Sequence, residues 1–197
     1  MVALVALDIL VLIGIVFPSV VANTSLSQIS GVRVALNALL PVPILILAGL
    51  LPATLKEMLV FWRIKDHLPG CRAFTRHGPA DPRIDMASLQ QNVGSFPKVP
   101  REQNELWYKL YRRVDAKTSV IDANRSFLRF REMAGLSFLL MLLVPLVMTF
   151  SVVSIITIFQ AFGLFAVQYL LTSIAARNSG VRLVCSVLAE HAIRRVT

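Results

Sequence analysis

The sequence predicts an all-α membrane protein with four transmembrane helices, arranged as two hairpins around a helical cytoplasmic insert. Three observations predict it. The 197 residues are 56% hydrophobic and only 16% charged, with a mean hydropathy of +0.69. Soluble domains are about 45–50% apolar and about 25% charged. The apolar residues are gathered in runs long enough to cross a bilayer, which takes about 20 residues per helix. The charges are gathered between the runs, with twenty Lys and Arg against eleven Asp and Glu, a net charge of +9. This composition excludes a disordered chain and argues against a soluble enzyme.

The first span is predicted over residues 2–22, interrupted by Asp8 and Pro18, and the second over 34–54. Val20-Val21-Ala22 offers the small residues a signal peptidase prefers. No Lys or Arg precedes the run, however, so it reads as a retained span. The third and fourth spans share one uncharged block, 134–176, too long for a single crossing, with a turn expected near 150–154. The segments are then a first hairpin (1–55), a basic cytoplasmic domain (56–132), a second hairpin (133–176) and an amphipathic tail (177–197).

Basic residues collect on the cytoplasmic side of a membrane. Residues 56–132 hold fifteen of the twenty, and Arg177, Arg182, Arg194 and Arg195 come after the last span. The loop 23–33 holds one, and the turn near Phe150 none. Only one arrangement satisfies every loop. Both termini and the insert are cytoplasmic. Asn23-Thr24-Ser25 and Asn124-Arg125-Ser126 fit the glycosylation pattern, which is too short to count as evidence.

Polar residues inside spans are costly and need partners. Asp8 lies near a helix end, where it can reach the interface. Asn37, Gln160 and Gln168 must face protein or water. Gln160 and Gln168 are eight apart and share a helical face, with Thr157, Gly163 and Thr172 on the same helix. Two readings stay open for this face: inter-helix hydrogen bonds in a bundle or homo-oligomer, or the lining of a pore. Pro18, Pro41, Pro43, Pro52 and Pro145 predict bent helices.

In the insert, residues 67–100 are rich in Pro and Gly and read as turns around a short helix near 84–92, capped by Asp81 or Asp85. Pro100 then opens a helix with an apolar stripe of Leu106, Trp107, Leu110, Tyr111 and Val114. Trp107, Tyr108 and Tyr111 are expected in the core of this domain. A further helix begins near Thr118, with Arg125, Arg129 and Arg131 outward, and continues into the third span. The tail carries Val181, Val184, Cys185, Leu188 and Ala192 at helical spacing, with His191 exposed. It is read as a separate helix along the membrane or against the insert.

No catalytic set is found. Asp66, His67, Cys71, His77, Asp81 and Asp85 are close in sequence, but without the ligand spacing of a zinc site or a nucleophile motif. No cofactor or metal is expected. Cys71 and Cys185 are both placed in the cytoplasm, so no disulfide is predicted. Arg63, Arg72, Arg76, Arg83 and His77 surround the turn-rich part and form a candidate partner- or anion-binding cluster, since Arg binds phosphate bidentately. Membrane lipid and an acidic cytoplasmic protein are the favoured partners. A nucleotide or nucleic acid is less favoured, because no aromatic residues alternate with these arginines.

The insert carries His67-Leu68-Pro69-Gly70-Cys71-Arg72-Ala73-Phe74, then Asp81-Pro82-Arg83-Ile84-Asp85 and Gln103-Asn104-Glu105-Leu106-Trp107-Tyr108. With the order hairpin, basic insert, hairpin, this resembles small four-span membrane proteins of prokaryotic anti-phage defence systems. These are the membrane subunit of Kiwa-type systems and the membrane effectors that accompany nucleotide second-messenger synthases. The resemblance covers the architecture of the whole chain and transfers no functional residue. It implies an oligomeric sensor or effector of the bacterial inner membrane that works with a cytoplasmic partner, and the lack of a catalytic motif makes the expectation a non-enzymatic one. The residues themselves leave two rivals: a ligand-gated pore that disrupts membrane integrity, and a lipid-modifying enzyme using His67, His77, Asp81 and Asp85.

Overall fold

The computed structural model describes residues 49–150 and 154–193. The first predicted span, most of the second, Asp8 and Asn37 lie outside the described residues. So do 151–153 in the predicted turn and Arg194 and Arg195. The described residues are helical, with no strand among them. The helices are α1 (Ala53–Phe61), α2 (Met86–Val93), α3 (Pro100–Val114), α4 (Thr118–Met148) and α5 (Ile155–Ala192). Between α1 and α2 lie a 3-10 turn (Pro69–Arg72), a π turn (Ala73–His77) and a short helical turn (Gly78–Ala80). Residues 69–80 are therefore more helical than their Pro and Gly content predicts. Pro69 and Pro79 sit in first-turn positions, where a missing N–H costs nothing.

Among the described residues two helices, α4 and α5, are long and apolar enough to cross a membrane. Their most apolar windows are only 22% and 17% buried, whereas the core helix of a soluble protein would be mostly buried. Pro145 lies inside α4, close to its end, and Thr149 N–H still reaches the Pro145 carbonyl. α5 begins shortly after, as the uncharged block predicts. It does not stop at the end of that block. The chain continues helical through Arg177 to Ala192, so the tail is part of α5 and not a separate element. Asn178, Ser179 and Gly180 are weak helix breakers, and tertiary packing overrides them.

The chain divides into two compact units. One comprises Glu132–Thr172 and the described residues up to Lys56. In it Lys56 pairs with Glu132 at 2.5 Å, Phe138 and Tyr169 meet at 5.4 Å, and Ala134, Leu136, Ser137, Ala161 and Phe165 are buried.

The other comprises Glu57–Arg131 and the described residues from Ser173. Its core joins Phe74, Ile84, Leu89, Leu110, Val114, Val120, Phe127, Val184, Val187 and Leu188. α2 is capped by Asp85, whose carboxylate accepts from Ala87 N–H at 3.0 Å. α3 starts at Pro100 as predicted and buries Leu110 and Val114. Trp107 and Tyr111 pack against the core, while Tyr108 is exposed and stacks on Tyr111. Arg125 and Arg129 are exposed, but Arg131 is not outward. It is half-buried, donating to Glu57 at 3.1 Å and lying over the Phe127 ring. His191 is half-buried rather than exposed, with Nε2 3.0 Å from the Leu110 carbonyl. The tail's apolar residues pack on the insert, which draws His191 onto α3.

Candidate functional site

Within the second unit, the segment between α1 and α2 closes against α5 around a cavity of about 280 Å³. Arg63, Arg72, Arg76 and Arg177 line it, with His67, His77 and Asn178. Phe61, Leu68, Pro69 and Val181 supply an apolar wall. No Asp or Glu among the described residues lines it.

Each side chain is placed by a local device. α1 ends at Phe61, and Trp62 then takes a left-handed conformation (φ 52°). Such a backbone is strained for a bulky residue. It puts the Trp62 ring 3.7 Å from the Arg177 guanidinium, whose Nε donates to the Val60 carbonyl at 2.7 Å. A cation–π contact and a carbonyl thus hold Arg177 at the wall.

The 3-10 turn that carries Arg72 lies hard against α3. A Cβ on Gly70 would collide with the Asn104 side chain and touch the Trp107 ring. The π turn that carries Arg76 and His77 is held by Gln103. This buried amide accepts from Phe74 N–H (3.3 Å) and the Thr75 hydroxyl (3.2 Å) and donates to the Lys98 carbonyl (3.2 Å). π turns are frequent at functional sites. The opposite wall comes from α5, which approaches closely at Gly180. A Cβ there would sit 3.0 Å from the Phe61 ring and 3.1 Å from Phe127.

The electrostatics are one-sided. Glu57 pairs with Nε2 of His67 at 3.3 Å and is shared with Arg131 at 3.1 Å. Arg63, Arg72 and Arg76 have no carboxylate partner among the described residues. Burial, then the charges of Arg76 and Arg63, push the His77 pKa below its ordinary 6.5, so the ring is neutral at neutral pH. A cavity walled by guanidinium groups and lacking carboxylates is suited to an anion.

The structure brings four of the five predicted cluster residues together: Arg63, Arg72, Arg76 and His77. Arg83 is elsewhere. Its Nη2 and Nε reach the Asp81 carboxylate at 2.6 and 3.0 Å, and its backbone N–H reaches Oδ1 at 3.0 Å. The Arg83 guanidinium holds the Asp81 carboxyl down to about 2. This pair flanks a shallower cleft with Pro82 and Cys185.

The other acids of the predicted polar group are dispersed, with Asp85 capping α2 and Asp66 near Cys71. Burial, then the Asp66 charge, raises the Cys71 thiol. Burial and then Asp81 push Cys185 up to about 12, so both thiols stay protonated at neutral pH.

Gln160 is exposed on α5 and Gln168 half-buried. The Thr172 hydroxyl bonds back to the Gln168 carbonyl at 2.8 Å within its own helix. Arg177, Asn178 and Val181 are pocket residues that the sequence alone does not assign. Their signal is the spacing of Arg177 and Val181, four apart, in register with Val184 and Leu188 on the face that packs inward. Comparison with known proteins finds no match to the chain among protein families, curated proteins or solved structures.

Proposed function

We propose that the chain is a non-enzymatic sensor or effector in the bacterial inner membrane, and that its basic unit receives an anionic signal. The carrying observation is the pocket walled by Arg63, Arg72, Arg76 and Arg177 without a lining carboxylate among the described residues. With four spans in two hairpins and both termini cytoplasmic, that pocket faces the cytoplasm. Binding there acts on the membrane bundle through α5, which carries Arg177 as well as the apolar stretch 155–176. A homo-oligomer with a cytoplasmic protein partner, in anti-phage defence, is the setting that the resemblance suggests. The exposed Gln160 favours a second version, in which copies of α5 line a pore.

The test is anion-dependent stabilisation of the full chain in mild detergent. Pyrophosphate, as a soluble polyanion, is expected to raise the unfolding temperature. Arg72→Gln with Arg76→Gln is expected to weaken that binding at least about tenfold, the loss of about 1.4 kcal/mol. Arg83→Gln should leave it unchanged. Equal effects of all three substitutions would remove the pocket from the reading. Intact-mass measurement of the complex purified in mild detergent reads copy number and any stoichiometric partner.

A further inference from the structure

We infer that the pocket takes the phosphodiester headgroup of an anionic phospholipid from the leaflet beside it. This rests on the anion-binding reading above and names the anion. Four observations lead to it.

The first is the composition of the wall. A free inorganic anion needs only donors and charge. This cavity is also lined by the apolar side chains of Phe61, Leu68 and Val181. A lipid headgroup has the matching halves, a monoanionic phosphate and a glycerol leading to acyl chains.

The second is size. At about 280 Å³ the cavity falls just below the usual range of ligand sites, about 300–1,000 Å³. That suits a headgroup better than a dinucleotide. Among the described residues the lining also offers a base no Trp or Tyr ring.

The third is position along α5. Residues 155–176 carry no charge, and Arg177 and Asn178 come directly after. At about 1.5 Å per residue, 155–176 matches a hydrocarbon core about 30 Å thick. With that stretch in the bilayer, Arg177 is at the level of the lipid phosphates.

The fourth is the pair of residues flanking Arg63. Trp62 is 51% exposed and Ile64 84% exposed. Exposed Trp beside exposed aliphatic residues is what the membrane interface accommodates and water does not. The Trp62 ring lies on Arg177, so the interfacial aromatic and a pocket cation are one structure.

Taken together, Arg72 and Arg76 bind the phosphate oxygens, Arg177 is the fixed cation at the wall, and Trp62 and Ile64 rest among the headgroups.

The experiment uses the full chain, purified and delipidated in dodecyl maltoside. Short-chain phosphatidylglycerol, short-chain phosphatidylcholine, glycerol 3-phosphate, inorganic phosphate and ATP are compared by native mass spectrometry and thermal unfolding. Phosphatidylglycerol is expected to bind and stabilise, and phosphatidylcholine is not. Arg72→Gln with Arg76→Gln should weaken phosphatidylglycerol binding at least about tenfold. Arg76→Gln alone, at an exposed position, is the variant if the double substitution does not fold. Ile64→Ser, 84% exposed and outside the pocket lining, should weaken the lipid but not inorganic phosphate. If ATP or inorganic phosphate binds through Arg72 and Arg76 and phosphatidylglycerol does not, the lipid inference falls and the anion reading stands. If no anion binds through these residues, both fall.

Discussion

The two parts of α5 both carry many apolar residues and have opposite surroundings. From Ile155 to Ile174, Ile155, Ile156, Phe159, Phe162, Val167, Leu170, Leu171 and Ile174 are all exposed. Beyond Ile174, no large hydrophobic residue of α5 is exposed, and Leu183, Val184, Cys185, Val187 and Leu188 are buried. Hydrophobicity fixes only that a residue leaves water. It does not fix what it leaves water for. In the second part the answer is protein, because Phe74, Leu89 and Leu110 are there to meet it. In the first part the described residues supply few neighbours, and a solvent that is itself apolar is the economical answer. Charge divides the same way, since the second part begins at a cationic pocket and the first has no ionised side chain.

The sharpest way to break this comparison is truncation on either side. Leu188→Ala is expected to cost about 2–5 kcal/mol, the range for a buried leucine. Leu171→Ala in the same detergent should fall within about 0.5 kcal/mol, as for surface positions. Thermal or denaturant unfolding of the two variants reads the difference. Equal costs would mean that 155–172 packs against protein after all.

Next in size is Gln103→Leu, expected to cost about 1–3 kcal/mol, because it strands the buried Phe74 N–H and removes the partner of the Lys98 carbonyl. Pyrophosphate binding should weaken as well, since the π turn that carries Arg76 and His77 loses its anchor. A stable variant with undiminished binding would show that the turn holds itself.

A smaller effect is expected from pH. The folded pKa of His77 lies below 6.5, so the unfolded chain takes up this proton first as pH falls. Its contribution to stability is complete above 6.5 and is lost as pH drops from there to the lower folded value. A bound anion raises the folded pKa and opposes that loss. Affinity for a phosphodiester, which does not titrate in this range, should therefore rise as pH falls below 6.5. His77→Gln should flatten that rise in a titration series.

The smallest expected effect is Arg83→Gln, under about 1 kcal/mol, because the Asp81 pair is exposed on the arginine side. What remains of the pair's stabilisation should vanish only as pH falls from 3.8 through about 2, where Asp81 protonates. Unfolding monitored down to strongly acid pH checks this.

Much of the helical order was legible because its signals are local. Asp85 before α2, Pro100 at the start of α3, and the stripe ending in Leu110 and Val114 are read within a few residues of one another. The pocket was only partly legible, because its closure is long-range. Arg63, Arg72, Arg76 and His77 are near in sequence, whereas Arg177 arrives on another helix and is held by Trp62 and Val60. Periodicity assigns a face to Arg177 but not the face that it meets. Arg83 was drawn into the cluster by proximity alone. The Asp81 carboxylate, two residues away, folds back on it and removes its charge from play. The continuity of α5 was hidden by Asn178, Ser179 and Gly180, which discourage a helix in isolation but let it lie close to Phe61 and Phe127.

The π turn at Ala73–His77 has a consequence for length variation in the gene. A π turn holds one residue more than an α turn over the same rise. Loss of one codon there would relax the turn to ordinary α geometry without opening the core. The residues after the turn would keep their places, so loss of the Arg76 codon would take one cation from the pocket while the domain stayed folded. A single-codon deletion at this turn would therefore separate ligand capture from folding more cleanly than a point substitution.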